Sequence, residues 1–210
     1  MMRSLLKTTL ILAALAGLSA CSAPSGVSRN VTLETVSPVL EGPRQDWSIV
    51  DLRVDVPRTL TVSEANSIRP NADIVWRGDP LGDRYDQVDA LMTSALAPVL
   101  RPRDGASTPV IVTIELQQFH AVSELARYTI GGSHEFVFTL TVTHAETGEI
   151  LSGPRPVDLT YRVAGGQAAL DEEAQGITQR TRVIERLQGW ARAEFPVPAA
   201  DLLAVAQAQN

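Results

Sequence analysis

The sequence predicts an α+β fold: a single two-layer domain in which a mainly antiparallel five-stranded sheet carries two helices on one face, in the order ββαβββα. Three observations lead there. Several stretches alternate apolar and polar residues with a period of two, as strands do when one face is in a core and the other is wet. Two stretches repeat apolar residues at helical spacing on one side only. Three of the strand-like stretches follow one another with hairpin-type spacing, which favours antiparallel pairing. A sheet with one apolar face buries both apolar helix stripes if the helices share that face. The 210 residues, 44% hydrophobic and 20% charged, suffice for one packed domain with a tail. There is no internal repeat.

From Trp47, the residues Val50, Leu52, Val54 and Val56 alternate with Asp51, Arg53 and Asp55, a first strand that Pro57 ends. Thr59 to Pro70 reads as an irregular connection, and a second strand is expected over Asp73 to Arg77. Gly78-Asp79-Pro80-Leu81-Gly82 is a turn cluster, with Asp83 an N-cap and Asp86 a favourable charge in the first helical turn. Tyr85, Val88, Met92, Leu96 and Val99 then predict a helix over Arg84 to Leu100. Val110 to Leu116 and Phe136 to Val142 predict the third and fourth strands, and Ala145 to Glu149 a hairpin turn. The fifth strand begins at Ile150, is interrupted by Gly153-Pro154 and Pro156 as an edge or bulged strand would be, and resumes over Val157 to Val163. A last helix is expected over Leu170 to Phe195, weakened at Gly176 and Gly189 by about 1 kcal/mol each and stopped by Pro196.

The N-terminus reads as an address. Arg3 and Lys7 precede an uncharged stretch, Leu10 to Leu18, as in a bacterial export signal. That stretch is far shorter than the roughly 20 residues of a spanning helix. Leu18-Ser19-Ala20-Cys21 resembles the lipobox of bacterial lipoproteins. The resemblance implies cleavage before Cys21, diacylglycerol on its sulfur and an acyl chain on its new amino group, more than the two signals stable anchoring needs. The expected organisation is a signal peptide over 1–20, a tether over 21–45 from lipidated Cys21, the α+β domain over 46–196 and a C-terminal tail over 197–210. Ser22, rather than Asp, follows the cysteine, which leans to the outer membrane over the inner.

Composition narrows the chemistry. Net charge is −6 with no basic run, against nucleic acid as a partner. Cleavage would take the basic count from 18 to 16 against 24 acids, a charge of −8, so lipid rather than a basic face must hold the membrane. The lone cysteine excludes an internal disulfide and a thiolate metal cage. No catalytic motif for a nucleophilic serine, a zinc protease, a redox dithiol or a phosphate-binding loop is present, so no enzyme activity, cofactor or metal is expected. The three histidines, His120, His134 and His144, have no spacing that demands a common ion.

Two segments are candidate contact sites. Trp76, Arg77, Asp79, Asp83 and Arg84 lie in the densest polar stretch. It reads as a recognition loop, or as a strand-to-helix turn with a cap and a local Arg–Asp pair. Tyr128 and His134 lie in Ala126 to His134, a mobile tip that touches a partner or a long hairpin loop with glycines at positive φ.

Several stretches carry a family resemblance: Arg53-Val54-Asp55-Val56-Pro57, Ser63-Glu64-Ala65-Asn66, and Ala72 to Pro80 continued by Gly82-Asp83-Arg84 and Gln87-Val88. With the lipobox and most of Trp47 to Phe195, they are similar to an uncharacterised family of alphaproteobacterial lipoproteins, which brings no known activity. More distantly, the layout resembles auxiliary lipoproteins of ABC-type transport systems that move lipids or other envelope components. The resemblance implies a membrane-anchored, periplasm-facing accessory that binds an envelope protein. The rival expectation is a small-ligand or lipid carrier with a pocket between sheet and helices.

Overall fold

The computed structural model describes residues 46–197. Cys21, the leader, the tether and the tail beyond Val197 lie outside the described residues.

The elements are β1 (Trp47–Asp55), β2 (Ile74–Val75), α1 (Arg84–Leu96), β3 (Thr108–His120), α2 (Glu124–Arg127), β4 (Gly132–His144), β5 (Ile150–Asp158), β6 (Tyr161–Val163), α3 (Gln167–Ala174) and α4 (Gln179–Glu194). The long pair β3 and β4 is the spine. Val110, Val112, Ile114 and Leu116 on one strand, and Phe136, Phe138, Leu140 and Val142 on the other, are all 1% exposed or less. Intervening residues such as Thr113, Thr139, Thr141 and Thr143 are only partly covered. Period-two alternation therefore gives the sheet one dry and one wet face. Val88, Leu91, Met92 and Leu96 of α1, with Val183, Leu187 and Ala191 of α4, complete the same core cluster. Both helices share the dry face, as the single-stripe pattern requires.

The sheet departs from the expectation of five antiparallel strands. It has six, in the order β1-β3-β4-β5, with β2 beside the far end of β3 and β6 beside the near end of β4. β1 and β2 both run parallel to β3, while the other pairings are antiparallel. The physical reason lies in the connection: α1 stands in the chain between the first two strands and β3, and a helical crossover returns the chain in the same direction. Hairpin-type spacing governs only β3 onward. Within β1 the register shifts between Ile49 and Asp51, so Ile49 is buried and Val50 is 48% exposed. That bulge turns out one residue of the expected apolar row.

Among the described residues there are four helices rather than two. The short α2 forms inside the expected hairpin loop, capped by the Ser123 hydroxyl, which accepts from Ala126 N–H. The single last helix is two helices. Gly176, at φ 78°, donates to Glu173 O at 2.9 Å, and Ile177 donates to Glu172 O at 2.9 Å. These two bonds form a Schellman stop, which needs the left-handed residue that glycine supplies. Thr178 then caps α4 by accepting from Thr181 N–H. Gly176 is thus a helix terminator, where the sequence reading counts it as a weak spot in one continuous helix. Among the described residues no helix is long and apolar enough to cross a membrane.

Candidate functional site: an arginine–carboxylate cleft

The turn between β2 and α1 is clamped to the core. Trp76 is 1% exposed, its ring edge-on to Phe119 at 5.6 Å, and its Nε1 donates to Asp79 at 2.6 Å. A Cβ at Gly78 would fall 2.3 Å from the Trp76 ring, so glycine lets the backbone cross over the indole. Arg84 is 5% exposed. Its guanidinium donates to both Glu64 carboxylate oxygens at 2.6 and 3.0 Å, to Gln87 Oε1 at 2.6 Å, and to the carbonyls of Asp79 and Pro80. A fork used in this way ties the connection, the turn and the helix start together. It also holds the Glu64 carboxyl below the usual carboxylate range. Asp83 caps α1 through Tyr85 N–H and Asp86 N–H and receives Arg58 at 2.6 Å, a bond that lowers its carboxyl pKa.

Two contiguous clefts open beside this turn. One, about 370 Å³, is bounded by Glu64, Arg77, Asp79, Leu81, Arg84 and Glu124. The other, about 310 Å³, shares Arg77 and Glu124 and continues along Arg127, Tyr128, Gln179 and Arg180. Arg77 donates to Glu64 O at 2.9 Å and Glu124 Oε2 at 3.2 Å. Arg127 Nε donates to Glu173 at 2.9 Å, and Tyr128 Oη donates to the same carboxylate at 3.1 Å. Burial, and then the bond to Glu173, raise the Tyr128 phenol pKa. Arg180 reaches both Asp79 oxygens at 2.7 and 2.9 Å. The result is a wall of guanidinium forks, each partly engaged by a carboxylate of this chain.

The expected contact residues divide. Arg77, Asp79, Arg84 and Tyr128 line the clefts, Arg84 as a buried clamp. Trp76 lies beneath the surface and Asp83 beside the clefts on the α1 cap. His134 is a correction: it is fully buried and offers a partner no surface. Its ring lies 5.7 Å from Phe136 and 5.2 Å from Tyr161, and Nδ1 accepts from Val122 N–H at 3.3 Å. Burial, with the positive charge of Arg127 and the neighbouring His120, pushes its pKa down to about 4. His120 contacts Pro70 O, and His144 receives N–H groups of its own hairpin turn. Among the described residues no group of three or more His, Cys, Asp or Glu side chains is placed to hold a metal ion.

Glu64, Arg127 and Arg180 are missing from the sequence expectation. Arg180 was recoverable: Gly176 read as a helix stop makes Thr178 a cap and puts Arg180 in a first turn. Nothing local marks Glu64 or Arg127, whose partners lie 20 and 46 residues away.

Fold and clefts define a two-layer α+β domain with a mixed six-stranded sheet and a polar, arginine-walled surface cleft. The chain belongs to the family of unknown function DUF6778, whose family model matches residues 47–209. No curated protein matches it. Among solved structures it is similar to a Xanthomonas campestris protein of family DUF330, at 12% identity over 79% of this chain and 91% of that one, with a TM-score of 0.38. It is also similar to an uncharacterised protein, at 18% identity over 71% and 87% of the two chains and a TM-score of 0.33. A third neighbour, from Caulobacter crescentus and described as a "putative lipoprotein", shares 17% identity over 49% of this chain and 82% of that one, with a TM-score of 0.21.

Proposed function

We propose that this protein is a non-enzymatic lipoprotein of the cell envelope, anchored through Cys21 and facing the periplasm, that docks a protein of an envelope transport or assembly system on its cleft face. The observation that carries the reading is where the open space lies. The layer between sheet and helices is filled by Val88, Leu91, Met92, Leu116 and Phe138 at 1% exposure or less. The two clefts of about 370 and 310 Å³ lie instead at the surface, among fork donors and carboxylates. A carrier of apolar ligands needs a dry pocket in the core. A docking module needs a filled core and exposed polar groups that fix orientation.

The anchor is the lipobox chemistry at Cys21, and the outer membrane is its proposed location. The test uses the tagged chain in its native host. Crosslinking with a photoreactive residue at Arg77 or Tyr128 should recover a defined envelope protein, and a probe on the far sheet face at Thr141 should not. Equal recovery from both faces, or recovery of lipid alone, would reject the reading. Cys21→Ser should release the protein from the membrane fraction; continued sedimentation with membranes would remove the anchor.

A further inference from the structure

Two arginines that line the cleft of about 310 Å³ have buried hydrogen-bond donors that this chain does not use. Arg127 is 4% exposed, and its Nη2 has no partner although its Nε is bound to Glu173. Arg77 Nε is likewise buried and unpartnered, while its two other nitrogens are engaged. Buried guanidinium donors left without acceptors are costly unless something completes them. Both residues line the same cleft.

A second feature converges there. Thr178, Gln179 and Arg180, the cap and first turn of α4, line the cleft. The Thr178 hydroxyl takes Thr181 N–H, and the N–H groups of the two residues between have no acceptor within the helix. This 16-residue helix has no acidic residue in its first turn, whereas α1 carries Asp86 there. Its positive end is therefore uncompensated within the helix. Charged side chains lining the cleft are Arg77, Arg127 and Arg180 against Glu124 and Glu173, and Asp79 pairs with Arg180, so unused N–H groups rather than a net positive charge favour an anion there.

The rim is apolar. Tyr128 is 44% exposed, and Leu125 and Ile130, on and just after α2, are 41% and 71% exposed. A free small anion gains nothing from such side chains, whereas residues flanking an acidic side chain in a polypeptide would cover them.

From these features we infer that the cleft between α2 and the start of α4 is a carboxylate-binding site that receives an Asp or Glu side chain from an extended segment of a partner polypeptide, with apolar residues of that segment on Leu125, Tyr128 and Ile130. The inference rests on the docking reading above and names the chemistry of the partner. Guanidinium groups with an unused N–H suit a carboxylate, and the α4 end adds N–H donors of the right sign. The overall negative charge repels acidic peptides in general, so binding of one reports a local site.

Two experiments test it. In the first, the full chain in detergent is titrated with a blocked eight-residue peptide of alternating Leu and Glu, its Leu and Gln counterpart, and succinate. The Glu peptide should bind on the order of tenfold or more tighter than the Gln peptide. Arg77→Gln should remove that preference, and so should Arg127→Lys, which keeps charge but loses the fork; thermal unfolding of each variant verifies folding. Equal binding of the two peptides would overturn the inference, and succinate binding as tightly as the Glu peptide would overturn its polypeptide part. In the second, a photoreactive residue replaces Leu125 in the native host. A captured segment with Asp or Glu beside the crosslink supports the site. A defined partner segment lacking an acid overturns the inference while the docking reading stands, and absence of any protein crosslink there and at Arg77 ends both.

Discussion

Lowering the pH should destabilise this domain through one buried imidazole. His134 Nδ1 accepts from Val122 N–H, so the proton of the neutral ring sits on Nε2, which is buried without a partner. Protonation would put a second proton on Nδ1, facing the Val122 donor, and would place a charge beside Arg127 in an apolar stack. The folded pKa of about 4 is below the unfolded value of 6.5, so the unfolded chain binds more protons between those limits. Stability is accordingly full above pH 6.5 and falls as the pH drops through that window. Linkage puts the loss at about 2 kcal/mol between pH 7.5 and 5.0, where most carboxylates are still ionised. Urea unfolding followed by tryptophan fluorescence, at both pH values, measures it. In His134→Phe the loss should disappear. At pH 7.5 the variant should be within about 1 kcal/mol of the parent, because it removes an unpaired Nε2–H but strands Val122 N–H. An equal slope in parent and variant, or a parent equally stable at both pH values, would refute the reasoning.

Other outcomes follow from the same contacts. Arg84→Ala should cost about 2 kcal/mol of unfolding free energy, and Arg84→Lys should recover little of it, since one ammonium cannot replace a fork that spans Glu64, Gln87 and two carbonyls; denaturant midpoints decide it. Thr178→Ala should remove the α4 cap and lower stability by about 1 kcal/mol in the same assay. Gly176→Ala should cost about 1–2 kcal/mol through left-handed backbone strain alone, because its Cβ would meet nothing within 4 Å; an unchanged melting temperature would contradict the Schellman stop.

What the sequence made legible follows from how local each signal is. The alternation of Val110 to Leu116 and Phe136 to Val142, the Asp83 cap and the stripe of α1 depend on near neighbours, and they were read correctly. The parallel direction of β1 was not, because direction is set by the crossover over residues 56–107 rather than by any residue in the strand. Val50 was assigned to the wrong face because a bulge leaves no mark in an apolar–polar pattern. The break before α4 was written at Gly176 but is ambiguous, since a glycine lowers helix propensity whether or not it takes positive φ. Arg77, Asp79 and Tyr128, which local polarity singles out, line the clefts. Arg127 and Glu64 were not singled out, because tertiary packing alone brings their partners to them. His134 misled because a polar residue in a glycine-rich stretch reads as exposed, and its ring contact with Tyr161 depends on β6 pairing with β4.

The mixed sheet also bears on the order of assembly. β1 is synthesised well before β3, whose residues pair with it from Thr108, opposite Trp47. The β3–β4–β5 meander closes through short local loops, whereas seating β1 requires a much longer loop to close, and slow steps in folding follow such separations. Pulse-labelled hydrogen exchange should therefore protect the meander amides before those of β1. Until then β1 is a nascent ribbon with an unsatisfied edge, the stretch of chain that a holdase would need to shield.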